Sequence, residues 1–278
     1  MSGDVSILDQ FALTGQVAVV TGGSGVLGAA LALGLARAGA RVAILSRRAE
    51  GQAAALAAIT AAGGGAAGFA VDVLDRAALE RVAGAVIARF GQVDILVNAA
   101  GGNLPAATTG EERAFFDLDV AAIEQVFRTN FLGTLLCCQV FGRPMAARGS
   151  GCVVNIASMG ALRPLTRVGA YGAAKAAVTN LTQWLAVHFA QEYSPRLRVN
   201  ALAPGFFLTE QNRYLLTEAA TGAWTPRAEA ILAHTPQGRF GAAEDLVGPL
   251  LWLASPAAAF VTGIVVPVDG GFAAYSGV

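Results

Sequence analysis

Charge is scarce in this chain: of 278 residues only 14% are charged, and 19 basic side chains balance 19 acidic ones. No basic block interleaved with aromatics occurs, so the electrostatic footprint of a nucleic-acid binder is missing and a small-molecule partner is expected. Cysteine is sparse too. Cys137, Cys138 and Cys152 are an odd number, two of them adjacent in an apolar segment, without the paired spacing of a zinc site or a secreted disulfide framework. A reducing cytoplasm and no bound metal are expected. The opening "MSGDVSILDQFALTG" places Asp4 and Asp9 where an export signal needs basic residues and an apolar run, so no such signal is read. One long uncharged run, residues 249–268, approaches membrane-spanning length, but Pro256, Gly263 and Pro267 interrupt it. A core helix followed by a buried strand is the expected structure, with no membrane partner.

What the chain has in abundance is apolar surface to bury, with 55% hydrophobic residues. Short aliphatic runs ("VAVVT", "RVAILS", "GFAVDV", "VDILVNAAG", "GCVVNIAS", "RVNALAPG", "GIVVPVDGG") alternate with helical stretches. Continuous apolar strands joined by helical crossovers are parallel and covered on both faces. The pattern predicts one α/β domain over 1–278: a Rossmann-type doubly wound, mostly parallel sheet of about seven strands in three αβα layers. Ligands of such sheets bind beyond the carboxyl ends of the strands. Residues 206–241 interrupt the strand pattern with aromatic and polar residues, as a loop or lid over a substrate would.

The stretch "TGGSGVLG" at 21–28 lies where a buried strand turns into an alanine-rich helix. Gly23, Gly25 and Gly28 satisfy G-x-G-x-x-G, which allows a tight turn, close approach of backbone to a pyrophosphate and packing of a helix whose positive end faces that anion. A dinucleotide is expected against Thr21, Gly22, Gly23, Ser24, Gly25, Val26, Leu27 and Gly28. The second strand ends in Ser46, Arg47 and Arg48, with no acid before Glu50. A carboxylate there would suit NAD(H); arginines suit a 2′-phosphate, so NADP(H) is favoured and NAD(H) stays possible. A solvated helix start is the other reading of the two arginines.

Tyr171 and Lys175 stand at i and i+4 in "GAYGAAKAAVTNLTQWLAVHFA", a single predicted helix, so phenol and ammonium share a face. A lysine cation beside a phenol favours the phenolate and brings a poor acid–base group toward neutrality. Ser158 closes the strand before that helix, so serine, tyrosine and lysine can converge.

These residues resemble the short-chain dehydrogenase/reductase family. The resemblance runs in order along nearly the whole chain: "FALTGQVAVVTGG", Asp72 with Val73, "NAAG" at 98–101, Thr129 with Asn130, Ser158, Tyr171 with Lys175, Pro204 with Gly205, and "VDGG" ending at Gly271. It implies a catalytic set of Asn130, Ser158, Tyr171 and Lys175. Ser158 would bind the substrate oxygen and Tyr171 would exchange its proton; Lys175 would hold the nicotinamide ribose, and Asn130 would anchor a water leading to Lys175. Asp72 and Val73 would meet the adenine, while Asn98, Ala99, Ala100, Gly101, Pro204 and Gly205 would flank the cofactor. Two departures stand out: Val26 takes a glycine position of the usual T-G-x-x-x-G-x-G, and Ala99 replaces the second asparagine of N-N-A-G. A homotetramer built on the apolar helices after Leu118 and Gly169 and on the last strand is also implied.

Stretches such as "RPLTRVGAY", "APGFFLTEQNRYLL" and "HTPQGRFG" are similar to the subgroup usually called D-mannonate oxidoreductase, or fructuronate reductase-like. A hydroxylated, anionic sugar acid would meet Asn103, Ser158, Met159, Arg163, Arg167, Tyr171, Gln211, Asn212 and Arg213. The surplus segment between Asn98 and Asn130 would help shape this pocket. Two alternatives stay open: reduction of a 3-oxoacyl thioester, although no basic patch for an acidic carrier is visible, and a non-catalytic NADP-binding sensor.

Overall fold

In the computed structural model, residues 6–218 and 221–277 are described, apart from the side chains of 210, 211 and 214. Seven strands form a sheet in the order β3-β2-β1-β4-β5-β6-β7: β1 (Val17–Thr21), β2 (Arg41–Ser46), β3 (Ala66–Ala70), β4 (Ile95–Asn98), β5 (Gly151–Ile156), β6 (Leu197–Pro204) and β7 (Val265–Val268). Every neighbouring pair is parallel. The chain winds from β1 out to β3 and restarts at β4 on β1's other side, so a crevice opens between the carboxyl ends of β1 and β4.

Side chains alternate between two cores, as period-2 strands buried on both faces require. Val17, Val19, Leu96 and Val153 pack against α3 (Arg76–Phe90), α5 (Gly133–Arg148) and α6 (Gly169–Glu192) through Leu79, Val86, Phe141, Met145 and Leu185. Ala18, Val20, Ile95 and Val154 face α1 (Val26–Arg37), α2 (Ala53–Ala61) and α9 (Val247–Ala254) through Leu31, Leu35, Ile59, Leu250 and Leu253. Local signals set the helix ends: Asp75 caps α3 by accepting from the Ala78 N–H, and Gly91 closes it at φ 91°.

Some expectations need adjusting. Two strands stop earlier than expected, leaving Asp72 two residues past β3 and Ser158 two past β5, because the ladders end at Ser46–Ala70 and Ile156–Leu202. The uncharged run 249–268 is indeed a helix and a strand, and no described helix is long and apolar enough to cross a membrane. Its strand is only half-buried, since β7 pairs with β6 alone and forms the sheet edge. Residues 206–241 carry two helices, α7 (Glu210–Leu216) and α8 (Pro226–His234), where Leu216, Ala228 and Ile231 pack with Phe206, Phe240 and Phe272. All three cysteines are buried and unpaired. Burial pushes the Cys138 thiol up to about 12, which keeps it inert.

Candidate active site

The crevice between β1 and β4 opens into a cleft of about 380 Å3 whose lining includes Gly22, Gly25, Gly28 and Gly101. Gly22 turns at φ 66°, and a Cβ there would lie 2.8 Å from the Ala100 backbone. A Cβ on Gly28 would collide with the Gly22 carbonyl oxygen. Gly25 stands at the N-cap of α1 with no side chain capping the helix, so the first-turn N–H groups face the cleft. This cradle fits a dinucleotide pyrophosphate: it is free of side-chain bulk, rich in N–H donors and at the positive end of a helix dipole. Asp72, Val73, Ser46 and Arg47 line the far end of the cleft, with Ala99, Ala100 and Gly101 along its floor. A nicotinamide cofactor lying here would be held by those residues.

Thr21, Gly23 and Asn98 are off the cleft wall, whereas Ser46 lines it with its hydroxyl already engaged. Thr21 Oγ1 accepts from the Ala100 N–H at 3.1 Å and fixes that turn. Gly23 packs against Ile44. Asn98 points under the sheet, donating to Asn155 Oδ1 at 2.9 Å. The Ser46 hydroxyl donates to the Arg48 carbonyl at 2.9 Å and accepts from Gln52. Arg48 itself is exposed and does not line the cleft. Gln125 and Thr129 line it, although sequence reasoning did not assign them to the cofactor. They sit at i and i+4 on the helix leading to Asn130, joined at 3.0 Å, and that spacing was the available signal.

Ser158, Tyr171 and Lys175 do converge. Ser158 caps a short 3₁₀ turn (Met159–Ala161) by accepting from the Gly160 N–H at 3.1 Å, which leaves its own proton for a neighbouring oxygen. Tyr171 projects from the first turn of α6 and lines, with Ser158, the cavity beyond the cleft. One turn on, Lys175 is 4% exposed. Its Nζ donates to the Ile156 carbonyl at 2.7 Å and lies 5.8 Å from the centre of the Tyr171 ring. Burial holds Lys175 down at about 8, so it still carries most of its charge at neutrality. The expected lowering of Tyr171 is not what the chain's own groups produce. Burial raises the phenol above its usual 10, and the Ser158 hydrogen bond only partly offsets this.

Asn130 lies in a π-helical turn (Arg128–Leu132) between α4 (Val120–Phe127) and α5. Such single widened turns recur at functional sites. Its carboxamide donates to the Gly102 carbonyl at 2.7 Å and the Val126 carbonyl at 2.8 Å, and accepts from the Gly102 N–H at 3.0 Å. The side chain thus clamps the cleft floor. A Cβ on Gly101 would lie 2.5 Å from Asn130 Oδ1 and 3.2 Å from Lys175 Nζ, so this glycine is sterically required.

The cavity next to Ser158 and Tyr171 encloses about 180 Å3. Asn103, Asn212, Pro204 and Gly205 line it, as does Thr209. Gln211 lies in α7, but its side chain is outside the described residues. Other expected substrate contacts are elsewhere. Met159 is buried in the interior at 1% exposure. Arg163 and Arg167 are exposed and off the cavity wall. Arg163 donates to the Ala273 carbonyl at 3.3 Å, and the Arg167 carbonyl accepts from Thr109 N–H at 3.0 Å. Arg167 takes a left-handed φ of 73°, which bends this loop back toward the 102–119 segment. Arg213, also exposed, is not on the wall, whereas Arg227 of α8 is. No sequence signal near Ser158 or Tyr171 marked a residue that folding brings from 56 positions away.

A glycine cradle for a dinucleotide beside a serine, tyrosine and lysine defines a nicotinamide-dependent oxidoreductase acting on CH–OH groups. The model of the short chain dehydrogenase family matches residues 16–220, and the chain belongs to that family. An uncharacterised oxidoreductase of Bacillus subtilis (strain 168), UxuB, is 53% identical over 96% of this chain and 98% of its own. Gluconate 5-dehydrogenase of Gluconobacter oxydans (strain 621H) is 36% identical over 95% and 96%. A crystal structure from Haemophilus influenzae, provisionally named as a D-mannonate oxidoreductase and holding NAD, superposes with a TM-score of 0.89 at 44% identity, covering 96% of this chain and 98% of that one.

Proposed function

We propose that this enzyme interconverts a secondary alcohol and a ketone on a sugar acid of the D-mannonate/D-fructuronate type. The observation that carries this reading is a small cavity in which the Ser158 and Tyr171 hydroxyls stand beside Asn103, Asn212 and Arg227. The gluconate dehydrogenase and the D-mannonate-named structure support the substrate class. When bound, the nicotinamide supplies or removes a hydride at the substrate carbon. Tyr171 moves the proton at the substrate oxygen through its Oη, and Ser158 holds that oxygen by donating to it. Lys175, anchored on Ile156, keeps a positive charge beneath the phenol and faces the cofactor side at Gly101. Asn130 positions the Gly101–Gly102 backbone.

Arg47, which lines the cleft just past β2 where the sequence has no acid before Glu50, supports NADP(H) as the preferred cofactor, with NAD(H) also used. The segment 206–241 acts as the substrate cover, and residues 1–278 act as one catalytic unit. Exposed Trp184 and Val187 on α6, Tyr193 just past its end and Val120 on α4 support a homotetramer. Three buried free thiols fit a cytoplasmic location. The test is a panel of hydroxy and keto sugar acids, neutral polyols and 3-oxoacyl thioesters with both cofactors, read by nicotinamide absorbance. Sugar acids should give the highest kcat/KM; preferred turnover of acyl thioesters would refute the reading.

A further inference from the structure

We infer that Gln52 is a positioning residue for the adenosine end of the cofactor: it fixes the turn at 46–48 that presents Arg47 to a 2′-phosphate. This rests on the NADP(H) reading of the cleft and names what holds Arg47 in place. Gln52 ends a 3₁₀ turn (Glu50–Gln52) that leads into α2, and it is 3% exposed. A long polar side chain is seldom buried unless its amide is paired. Here the pairing runs across the carboxyl ends of two strands. Gln52 Nε2 donates to the Phe69 carbonyl of β3 at 2.8 Å and to Ser46 Oγ of β2 at 3.0 Å.

The direction of each bond is fixed. A carbonyl only accepts, so the amide nitrogen must face Phe69, and its two hydrogens are both used. Ser46 Oγ accepts one of them and gives its own proton to the Arg48 carbonyl at 2.9 Å. Ser46 therefore has no proton left for a cofactor. Instead it ties Arg48, and with it the backbone of Arg47, to the buried amide. Ser46 and Arg47 both line the cleft, whereas Gln52 does not. The sheet makes room for this arrangement: a Cβ on Gly68, in β3, would collide with Gln52 Oε1. On the other side, a Cβ on Gly51 would lie 3.3 Å from Ser24 Cβ, so the same 3₁₀ turn closes against the glycine corner.

A guanidinium carried on an anchored turn meets a phosphate with less ordering cost than one on a loose loop. NADH, which lacks the 2′-phosphate, draws on none of this. Loss of the network should therefore shift the balance between the two nucleotides rather than weaken both alike.

The test is a titration of the full-length enzyme with NADPH and with NADH, followed by nicotinamide fluorescence in the absence of substrate. Wild type should bind NADPH about 10- to 100-fold more tightly than NADH. Gln52→Met keeps the length of the side chain and deletes both donors. It should narrow that preference by about 3- to 10-fold, with NADH affinity within about 2-fold of wild type. Ser46→Ala should narrow it in the same sense, and Ser46→Thr, which retains the hydroxyl, should keep the wild-type preference. If Gln52→Met does not fold, the two Ser46 variants decide. An unchanged preference in Ser46→Ala, or equal losses for both nucleotides, would overturn the assignment while leaving the NADP(H) reading intact. Wild type that binds NADH at least as tightly as NADPH would overturn both.

Discussion

The cofactor cleft and the substrate cavity share a border at Leu27 and Thr209, which line both, but they are built from different materials. One side of the cleft is a glycine corner at strand ends, where Gly22, Gly25, Gly28 and Gly101 keep side chains out of the way. The cavity is walled by side chains drawn from Asn103, the 158–171 loop, β6's end, α7 and α8. Backbone shape follows from local sequence, since a glycine is needed wherever a Cβ would strike a neighbour. Side-chain walls follow from tertiary packing of distant segments, so a change there redirects specificity without disturbing the frame.

That contrast can be broken first at the cleft. Gly28→Ala would drive a methyl into the Gly22 carbonyl and should abolish detectable cofactor binding, read by fluorescence titration, while costing about 1–3 kcal/mol of stability. A smaller effect is expected at the cleft's far end. Arg47→Glu should raise KM for NADPH about 10-fold more than KM for NADH, measured by steady-state kinetics, because it replaces attraction to a 2′-phosphate by repulsion.

The buried lysine gives a subtler signature. Its folded value of about 8 lies below the unfolded 10.5, so between those pH values the unfolded chain holds more protons and stability rises with pH. Tyr171, raised above 10, reverses the trend beyond pH 10, where the unfolded phenol ionises first. Urea denaturation from pH 7.5 to 10 should show a rise of roughly 1–3 kcal/mol that Lys175→Met removes. The smallest effect belongs to Arg163, whose guanidinium is turned to the Ala273 carbonyl. Arg163→Met should keep kcat/KM for a sugar acid within about 3-fold of wild type. A loss of 10-fold or more would bring the 158–171 loop arginines back into the cavity wall.

The same division explains what could be read before the structure. The seven strands, the glycine corner and the Tyr171–Lys175 pair were legible because each is a short-range pattern: period 2, a glycine spacing, one helical turn. Asn130 was picked out through family order. Its clamp on Gly102 was not, because a π-helical turn leaves no periodic mark. The arginines show the limit of such reading: Arg163 and Arg167 do not line the cavity beside Ser158 and Tyr171. Arg163 and Arg167 lie near Ser158 and Tyr171 in sequence, and that proximity stood in for proximity in space. The left-handed turn at Arg167 sends the loop toward Thr109, and α8 delivers Arg227 instead. Met159 differs for a similar reason: on the turn capped by Ser158 its side chain is buried.

The most direct test of the central claim, proton exchange at Tyr171 beside a separately built cofactor cleft, is to measure cofactor affinity and single-turnover hydride transfer on one preparation of Tyr171→Phe. The account predicts a dissociation constant for NADPH within about 2-fold of wild type and a transfer rate reduced by about 10²- to 10⁴-fold. Transfer at the wild-type rate would contradict it, as would loss of cofactor binding in proportion to loss of rate.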